Sequence, residues 1–263
     1  MSIPSPYRSV EYGVRKCGAA NQDTRSAERD GTESGTDLFH STVTTQQNDD
    51  GDIEIEIWSD VACPWCYIGK HRFLSALAEF DGRDRVNVVW RSYQLSPDTP
   101  VGERRTELDA LVEDKGMSAE QVRQMFGHVS RTAAEEGLRL DFDTVIAANT
   151  FDAHRLIHLA GDKRDAVVEG LFSAHFGDGA VIDDRETLVG IASRAGLDAD
   201  TVRAELASDA AADAVRADLD TARALQVSAV PFFVANRRIA VSGAQPKDVF
   251  LQLLTQATAT PVN

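Results

Sequence analysis

The sequence contains few cysteines, no concentrated basic patch and no long apolar run. Three cysteines among 263 residues exclude a scaffold held together by disulfides. A formal net charge of -15 argues against nucleic acid or an anionic membrane as a partner, because both need clustered basic side chains. The first residues lack the apolar segment of a secretory signal, and no later run reaches membrane-spanning length. These absences predict a cytoplasmic protein without nucleic-acid or membrane partners.

The residues that are present predict a folded core behind a polar N-terminal segment. Hydrophobic residues make up 43% of the chain, enough for one large domain or two small ones. Residues 1–51 are instead rich in Ser, Thr, Asp, Asn, Gln and Gly, which favours a disordered tail, and Cys17 within it is interpreted as an idle thiol. Residues 259–263 are predicted to form a short C-terminal tail.

One segment combines a strand, a helix and two cysteines. Apolar and polar residues alternate over residues 53–58, as in a β-strand, and the apolar spacing becomes helical over about residues 64–80. Cys63 and Cys66 therefore lie at a helix N-terminus, where free backbone N–H groups and the helix dipole favour a thiolate at Cys63. Pro64 suits the first helical position, and Cys66 is one turn further on, near enough to form a disulfide with Cys63. In the cytoplasm such a pair is more often catalytic or metal-binding than structural.

The rest of the chain follows a recognisable order of elements. Gly82 is expected to end the first helix, and a second strand over residues 86–90 is expected to run parallel to the first. Residues from about 103 to 226 have helical periodicity in five or six elements. Residues 231–234 and 238–241 then predict a hairpin, which a last helix follows.

This order predicts an α/β protein with a thioredoxin-like fold. Its central mixed sheet would be interrupted by a large all-helical domain inserted between a β-α-β half and an α-β-β-α half. The thioredoxin-like domain is predicted to span residues 52–100 and 210–258, and the inserted helical domain residues 101–209.

Three separated motifs resemble the FrnE-type branch of the DsbA-like thioredoxin-fold proteins. They are residues 58–69, residues 149–156, and residues 230–233 followed by 241–245. The resemblance covers about residues 53–257, and three motifs in the right order make it far more specific than an isolated C-x-x-C.

The resemblance implies a thiol–disulfide oxidoreductase in the cytoplasm. Cys63 would be the attacking cysteine and Cys66 the resolving one. The resemblance also implies a cis peptide bond between Val230 and Pro231 beside the sulfurs, which would leave a backbone edge free for an extended substrate segment. Val230 and Trp65 are therefore expected to contact the substrate.

Two further residues are candidates through the same resemblance. In the resembled branch the neighbourhood of His154 and Arg155 faces the active-site cleft, so both are predicted as substrate contacts. By spacing alone, His154 and His158 are surface or interface histidines on one helix face.

The proton acceptor of the cysteine pair is the part of the site that the motifs leave open. Some relatives with this fold carry a buried acid six positions before the attacking cysteine, and here that position is Ile57. Glu56 and Asp60 are the nearest acids and the candidates for this role. The simpler interpretation is that Glu56 is exposed on the strand and Asp60 is solvated in a loop.

Other uses of the same residues remain open at this point. A zinc site would need two ligands besides Cys63 and Cys66, and the remaining candidates are His71, His154 and His158. A chaperone-like module would need an exposed apolar cleft, lined by Trp65, Tyr67, Phe232 and Phe233, of which at least two are expected in the core.

A third alternative is a small-molecule enzyme on the same fold. It would be a glutathione-dependent isomerase of the 2-hydroxychromene-2-carboxylate type or a polyketide-associated tailoring enzyme, with glutathione as co-substrate. Such isomerases typically place Ser at the attacking position, whereas this chain has both Cys63 and Cys66.

The main prediction is an enzyme that carries its redox centre in its own side chains. Cys63 and Cys66 would form a redox-active disulfide, with no bound cofactor and no metal. The expected partners are proteins bearing thiols or disulfides, or small thiols, together with a recycling reductase. The protein would act as a monomer or a homodimer.

Overall fold

The structure, a computed structural model, describes the backbone of Arg15–Lys16 and residues 53–259. The rest of the predicted N-terminal tail, including Cys17, lies outside the described residues, as do residues 260–263. Arg15 and Lys16 pair antiparallel with residues 239–240, so these two positions form a strand where disorder was predicted.

The strands of the described residues form one mixed sheet in the order β1-β5-β4-β2-β3. They are β1 (Arg15–Lys16), β2 (Ile53–Ser59), β3 (Val86–Ser92), β4 (Phe232–Ala235) and β5 (Ile239–Ser242). β2 is parallel to β3 and antiparallel to β4, so that Ile57 lies between Trp90 and Phe233. Residues 236–238 connect the two strands of the predicted hairpin, and Asn236 and Arg237 at its turn both have positive φ.

Nine α-helices occur in residues 53–259, and seven of them lie between β3 and β4. They are α1 (Pro64–Glu79), α2 (Glu107–Lys115), α3 (Ala119–Glu135), α4 (Phe151–Leu159), α5 (Arg164–Asp178), α6 (Arg185–Arg194), α7 (Ala199–Ala207), α8 (Ala212–Ala224) and α9 (Lys247–Thr258). Short 3-10 turns precede β3 and α5.

The prediction of five or six inserted helices was low because α2 was not recognised. α2 has only nine residues and a single fully buried one, Ala110, so its apolar pattern is weak. The residues that indicate this helix in the sequence lie at its two ends. Thr106 caps the N-terminus by accepting a hydrogen bond from the Asp109 N–H at 3.1 Å, and Gly116 ends the helix with φ 65°.

The predicted end of α1 at Gly82 is also wrong. The helix stops at Glu79, and Phe80 already has an extended backbone. Gly82 has a negative φ of -90°, so it does not act as a left-handed cap. A Cβ at Gly82 would lie 2.7 Å from the Phe80 ring, so the glycine allows a close approach instead.

Helices cover both faces of the sheet around β2. On one face, Phe73 of α1 lies 5.4 Å from Phe233 of β4, and Phe250 of α9 lies 4.6 Å from the same ring. On the other face, Trp58 of β2 donates from Nε1 to the carbonyl of Asp218 in α8 at 3.3 Å. Since both faces are covered, polar residues of β2 are not left in solvent.

The predicted α/β fold class, with a central mixed sheet and a helical insertion, is confirmed. Buried side chains of the predicted thioredoxin-like and helical domains form one continuous core, in which Tyr67 of α1 stacks on Phe172 of α5 at 5.0 Å. The domain boundaries at residues 101 and 209 stay predictions. No helix of the described residues is long and apolar enough to span a membrane.

Candidate active site

Cys63 and Cys66 lie at the N-terminus of α1, directly after β2. Cys63 is the N-cap residue, and Pro64 occupies the first helical position. The carbonyl of Cys63 accepts a hydrogen bond from the Cys66 N–H at 3.0 Å, which closes the first turn. Both cysteines are free thiols, exposed by only 2% and 1%. The strand-to-helix junction expected from the alternation of residues therefore carries the pair.

The loop before β4 brings a backbone carbonyl to the first cysteine. The Val230–Pro231 peptide bond is cis, and the Cys63 thiol donates to the Val230 carbonyl with a sulfur–oxygen distance of 3.8 Å. The Pro231 carbonyl accepts from the Gly243 N–H at 2.8 Å, which ties this loop to the end of β5. Two segments far apart in sequence thus meet at one sulfur atom.

Gly69 of α1 allows this approach, and the sequence reasoning did not single it out. A Cβ at Gly69 would lie 2.7 Å from Cγ of Pro231, closer than real atoms come. A glycine within a helix costs about 1 kcal/mol relative to alanine, which is the signal that could have drawn attention to it.

Cys66 is held as a thiol by its surroundings. Burial raises the pKa of the Cys66 thiol well above its ordinary value, and the neighbouring Cys63 raises it further. The Asp60 backbone N–H and the Ser59 hydroxyl act on the Cys66 sulfur as hydrogen-bond partners and oppose the rise. Cys66 can attack a disulfide only after another group has removed its proton.

Asp60, predicted to be solvated, is buried with 1% exposure. Its Oδ2 accepts from the Leu95 N–H at 2.7 Å, and its Oδ1 accepts from the Ala62 N–H at 3.3 Å. Oδ1 also lies 3.5 Å from Nε2 of His154. These donors satisfy the carboxylate inside the protein, which explains why an acid can be buried in this loop.

Glu56, predicted to be exposed, is also buried, with 3% exposure. Its Oε1 accepts from Arg91 Nη2 at 2.7 Å, and its Oε2 accepts from Arg237 Nε at 3.2 Å. Because side chains alternate along β2, Glu56 lies on the face opposite Ile57, and α1 packs on the Ile57 face. Glu56 is therefore separated from Cys66 by the sheet.

Arg155 lies inside the protein, and the prediction of a cleft contact is wrong for it. Its guanidinium donates to main-chain carbonyls around the end of α7, including Ser208 at 2.6 Å and Ala210 at 2.8 Å. It also pairs with Asp152 at 2.7 Å. These bonds commit Arg155 to joining α4 to α7.

Of the two histidines of α4, His154 is inside rather than at the surface or in a cleft, and His158 is partly buried. His154 is buried, and its Nε2 lies 2.8 Å from the Tyr93 carbonyl. His158 lies 2.9 Å from Asp218 Oδ2 and 3.2 Å from the Ser92 hydroxyl. Both rings therefore have protein partners, in the segment around β3 and, for His158, also in α8.

The residues of the alternative hypotheses are dispersed. Among residues 53–259 the structure contains no group of three or more Cys, His, Asp or Glu side chains that could hold a metal ion. His71 instead lies 3.2 Å from Glu169. Tyr67 and Phe233 are buried in the core and cannot line an exposed cleft, whereas Trp65 is half-buried and packs 5.9 Å from His128 of α3.

Comparison with known proteins adds to this geometry. Residues 54–255 match the model of the DSBA-like thioredoxin domain. The crystal structure of a probable DsbA oxidoreductase from Streptomyces coelicolor is 45% identical, covers 80% of this chain and 93% of its own, and superposes with a TM-score of 0.76. The uncharacterized protein YwbO of Bacillus subtilis is 27% identical over 202 residues, which are 75% of this chain and 94% of YwbO. A 2-hydroxychromene-2-carboxylate isomerase shares the fold at 18% identity, with 77% of this chain and 93% of its own covered and a TM-score of 0.56.

Proposed function

The chain belongs to the DSBA-like thioredoxin domain family, and on that premise we propose that it is a thiol–disulfide oxidoreductase which cycles Cys63 and Cys66 between dithiol and disulfide. The observation that carries this proposal is the meeting of the Cys63 sulfur, at the N-terminus of α1, with the Val230 carbonyl beside a cis Pro231. A helix N-terminus favours the thiolate, and the adjoining backbone offers pairing groups to an extended substrate.

The reaction has two exchange steps. Cys63 as the thiolate attacks a substrate disulfide, forms a mixed disulfide and releases the first substrate sulfur as a thiolate. Cys66, once deprotonated, attacks Cys63 Sγ and releases the second substrate sulfur. The substrate gains two electrons and two protons, and the protein is left with a Cys63–Cys66 disulfide. The same steps in reverse oxidise a dithiol substrate.

The surroundings of the pair support a reductase or isomerase-like role. Trp65 offers no positive charge to the Cys63 thiolate, so we expect a less oxidising pair than one with a cation between its cysteines. We place the reaction in the cytoplasm, where a reductase can return the disulfide to the dithiol. The small exposed fraction of both cysteines favours extended peptide segments or small thiols as substrates.

An insulin-reduction assay with single cysteine variants tests the proposal. We expect Cys63→Ser to fall to the uncatalysed rate and Cys66→Ser to stall as a mixed disulfide after the first step. Cys17→Ser is the matched control, since it removes a thiol of the same chain outside the motif, and it should keep the wild-type rate.

Equal rates in wild type and Cys63→Ser would show the proposal to be wrong. Turnover of a small aromatic substrate that requires glutathione and survives in Cys63→Ser would then favour the isomerase-type activity known on this fold.

A further inference from the structure

We propose that the proton of the Cys66 thiol leaves through the Ser59 hydroxyl and a one-water cavity to His154, which Asp60 holds in place. The inference rests on the proposed function, because it explains how Cys66 becomes ready to resolve the mixed disulfide. Ile57, on the face of β2 that α1 covers, is apolar and offers no acceptor of its own.

Ser59 is the first step of this path. It ends β2 on the same face as Ile57, which α1 covers, and its side chain is one of the groups that oppose the rise in the pKa of the Cys66 thiol. A hydroxyl can accept one proton and give up its own, so it can pass a proton on without carrying a lasting charge.

A small cavity continues the path beyond Ser59. It has a volume of about 10 Å³, which suits a single water molecule. Its polar wall consists of Ser59, Ser92, His154 and Arg91. A water there has the several polar partners that buried waters need, and it would connect the Ser59 hydroxyl to the imidazole.

His154 is set up to receive the proton on its other nitrogen. The Tyr93 carbonyl, 2.8 Å from Nε2, can only accept a hydrogen bond, so Nε2 carries the ring hydrogen and Nδ1 is the basic nitrogen. Asp60 Oδ1, 3.5 Å from Nε2, stabilises the imidazolium that forms. The carbonyl and the carboxylate thus fix both the tautomer and the orientation of the ring.

The other charged groups around this site are compatible with the transfer. Arg91 on the cavity wall is paired with Glu56 and Asp218, which offsets its repulsion of an imidazolium. The charge of Asp60 also acts on His175 of α5, but burial lowers the pKa of His175 to about 4, so it is neutral at pH 7. Burial and then Asp60 raise the pKa of Glu107 in α2 to about 7. His158, one turn beyond His154, is bound to Asp218.

The transfer balances over one cycle. Cys66 gives its proton to Ser59 as Ser59 passes its own through the cavity water to His154 Nδ1. The Cys66 thiolate then forms the bond to Cys63 Sγ, the bond to the substrate sulfur breaks, and that sulfur leaves as a thiolate protonated from solvent. When a reductase breaks the Cys63–Cys66 bond, the proton on His154 returns to Cys66.

A two-phase reaction with an aryl disulfide whose released thiolate is coloured tests the inference. The first equivalent of colour reports attack by Cys63, and the second reports resolution by Cys66. We expect His154→Gln, which keeps a donor for the Tyr93 carbonyl but lacks a basic nitrogen, to keep the first phase and slow the second by on the order of 100-fold at pH 7.

The pH profile separates a proton relay from a merely structural role. In the wild type the rate of the second phase should level off at high pH, because the relay and not hydroxide takes the proton from Cys66. In His154→Gln it should keep rising with hydroxide. Ser59→Ala should behave like His154→Gln, whereas Ser59→Thr, which retains the hydroxyl, should restore most of the rate.

His158→Gln on the same helix is the matched control and should leave the second phase unchanged. The relay is wrong if His154→Gln and Ser59→Ala keep the wild-type rate and pH profile, or if only His158→Gln loses the second phase. Loss of the first phase in wild type, or its survival in Cys63→Ser, would instead count against the proposed function.

Discussion

Two buried acids, Glu56 and Asp60, stand four positions apart around the end of β2 but have different partners. Glu56 lies beneath α8 and accepts hydrogen bonds from the guanidinium groups of Arg91 and Arg237, which are always charged. Asp60 lies beside the cysteines, accepts from two backbone N–H groups and faces the imidazole of His154.

The surroundings of the two acids differ in whether the charge of a partner can change during a reaction. Around Glu56 every partner keeps its charge at physiological pH, so this cluster can only hold the sheet to α8. Around Asp60 the facing partner is a histidine, the side chain that most readily gains or loses a proton near neutrality. Burial of an acid is thus no sign of catalysis, and the nature of its partner separates the two roles.

The largest expected effect comes from breaking the Glu56 cluster. Glu56→Ala removes the carboxylate that joins Arg91 and Arg237, leaves Arg91 with Asp218 as its remaining partner, and should lower the free energy of unfolding by about 3 kcal/mol. Urea unfolding measures this. Glu54→Ala is the matched control on the same strand, because its side chain is 43% exposed, and it should cost less than about 0.5 kcal/mol. A loss below about 1 kcal/mol for Glu56→Ala would contradict the structural role.

Acid should destabilise the folded protein through the buried His175 of α5. Burial lowers the pKa of His175 in the folded protein to about 4, below the unfolded value of about 6.5. The unfolded chain therefore binds the proton more tightly, and stability that is complete above pH 6.5 falls by about 3 kcal/mol as the pH drops to 4. Urea unfolding at several pH values should give a flatter curve for His175→Gln. An equal pH dependence of the free energy of unfolding in wild type and His175→Gln would contradict this prediction.

Gly69→Ala tests how closely α1, which carries Cys66, packs against Pro231. The new Cβ would meet the Pro231 ring, so we expect a loss of about 2 kcal/mol in the free energy of unfolding and slower insulin reduction. Gly127→Ala in α3 is the control, since a Cβ there meets only the flexible Arg131 side chain and should stabilise by up to about 1 kcal/mol. Equal behaviour of the two variants would argue against tight contact at Pro231.

The smallest expected effect concerns Glu107. Burial, with Asp60 next, raises the pKa of Glu107 to about 7, so the folded state binds this proton more tightly than the unfolded chain. Its stability contribution is complete below about pH 4.5 and is lost as the pH rises through 7. Because Glu107 is half-buried, Glu107→Gln should gain about 1 kcal/mol over wild type between pH 5 and 8 in thermal or urea unfolding. A difference in stability between Glu107→Gln and wild type that does not change with pH would contradict the raised pKa of Glu107.

Local signals made part of the fold and site predictable. The alternation over residues 53–58, the spacing of Cys63 and Cys66 and the hairpin turn each depend on neighbours within a few residues. The capping box between Ser118 and Gln121 at the start of α3 does so too. In all of these the residues that decide the geometry are close in sequence.

Distant partners explain what the sequence could not show. Glu56 is buried because its arginine partners lie 35 and 181 positions away and because α8 covers that face of the sheet. Arg155 was assigned to a cleft, but its guanidinium reaches carbonyls 50 to 55 positions further on. Neither arrangement leaves a trace in the periodicity of the segment concerned.

The most direct test of the account is the intact mass of Cys66→Ser after incubation with a peptide disulfide. We predict a stable adduct of one peptide on Cys63, while the wild type releases the peptide and ends with a Cys63–Cys66 disulfide. An adduct on Cys17 alone, or none on Cys63, would contradict Cys63 as the attacking residue.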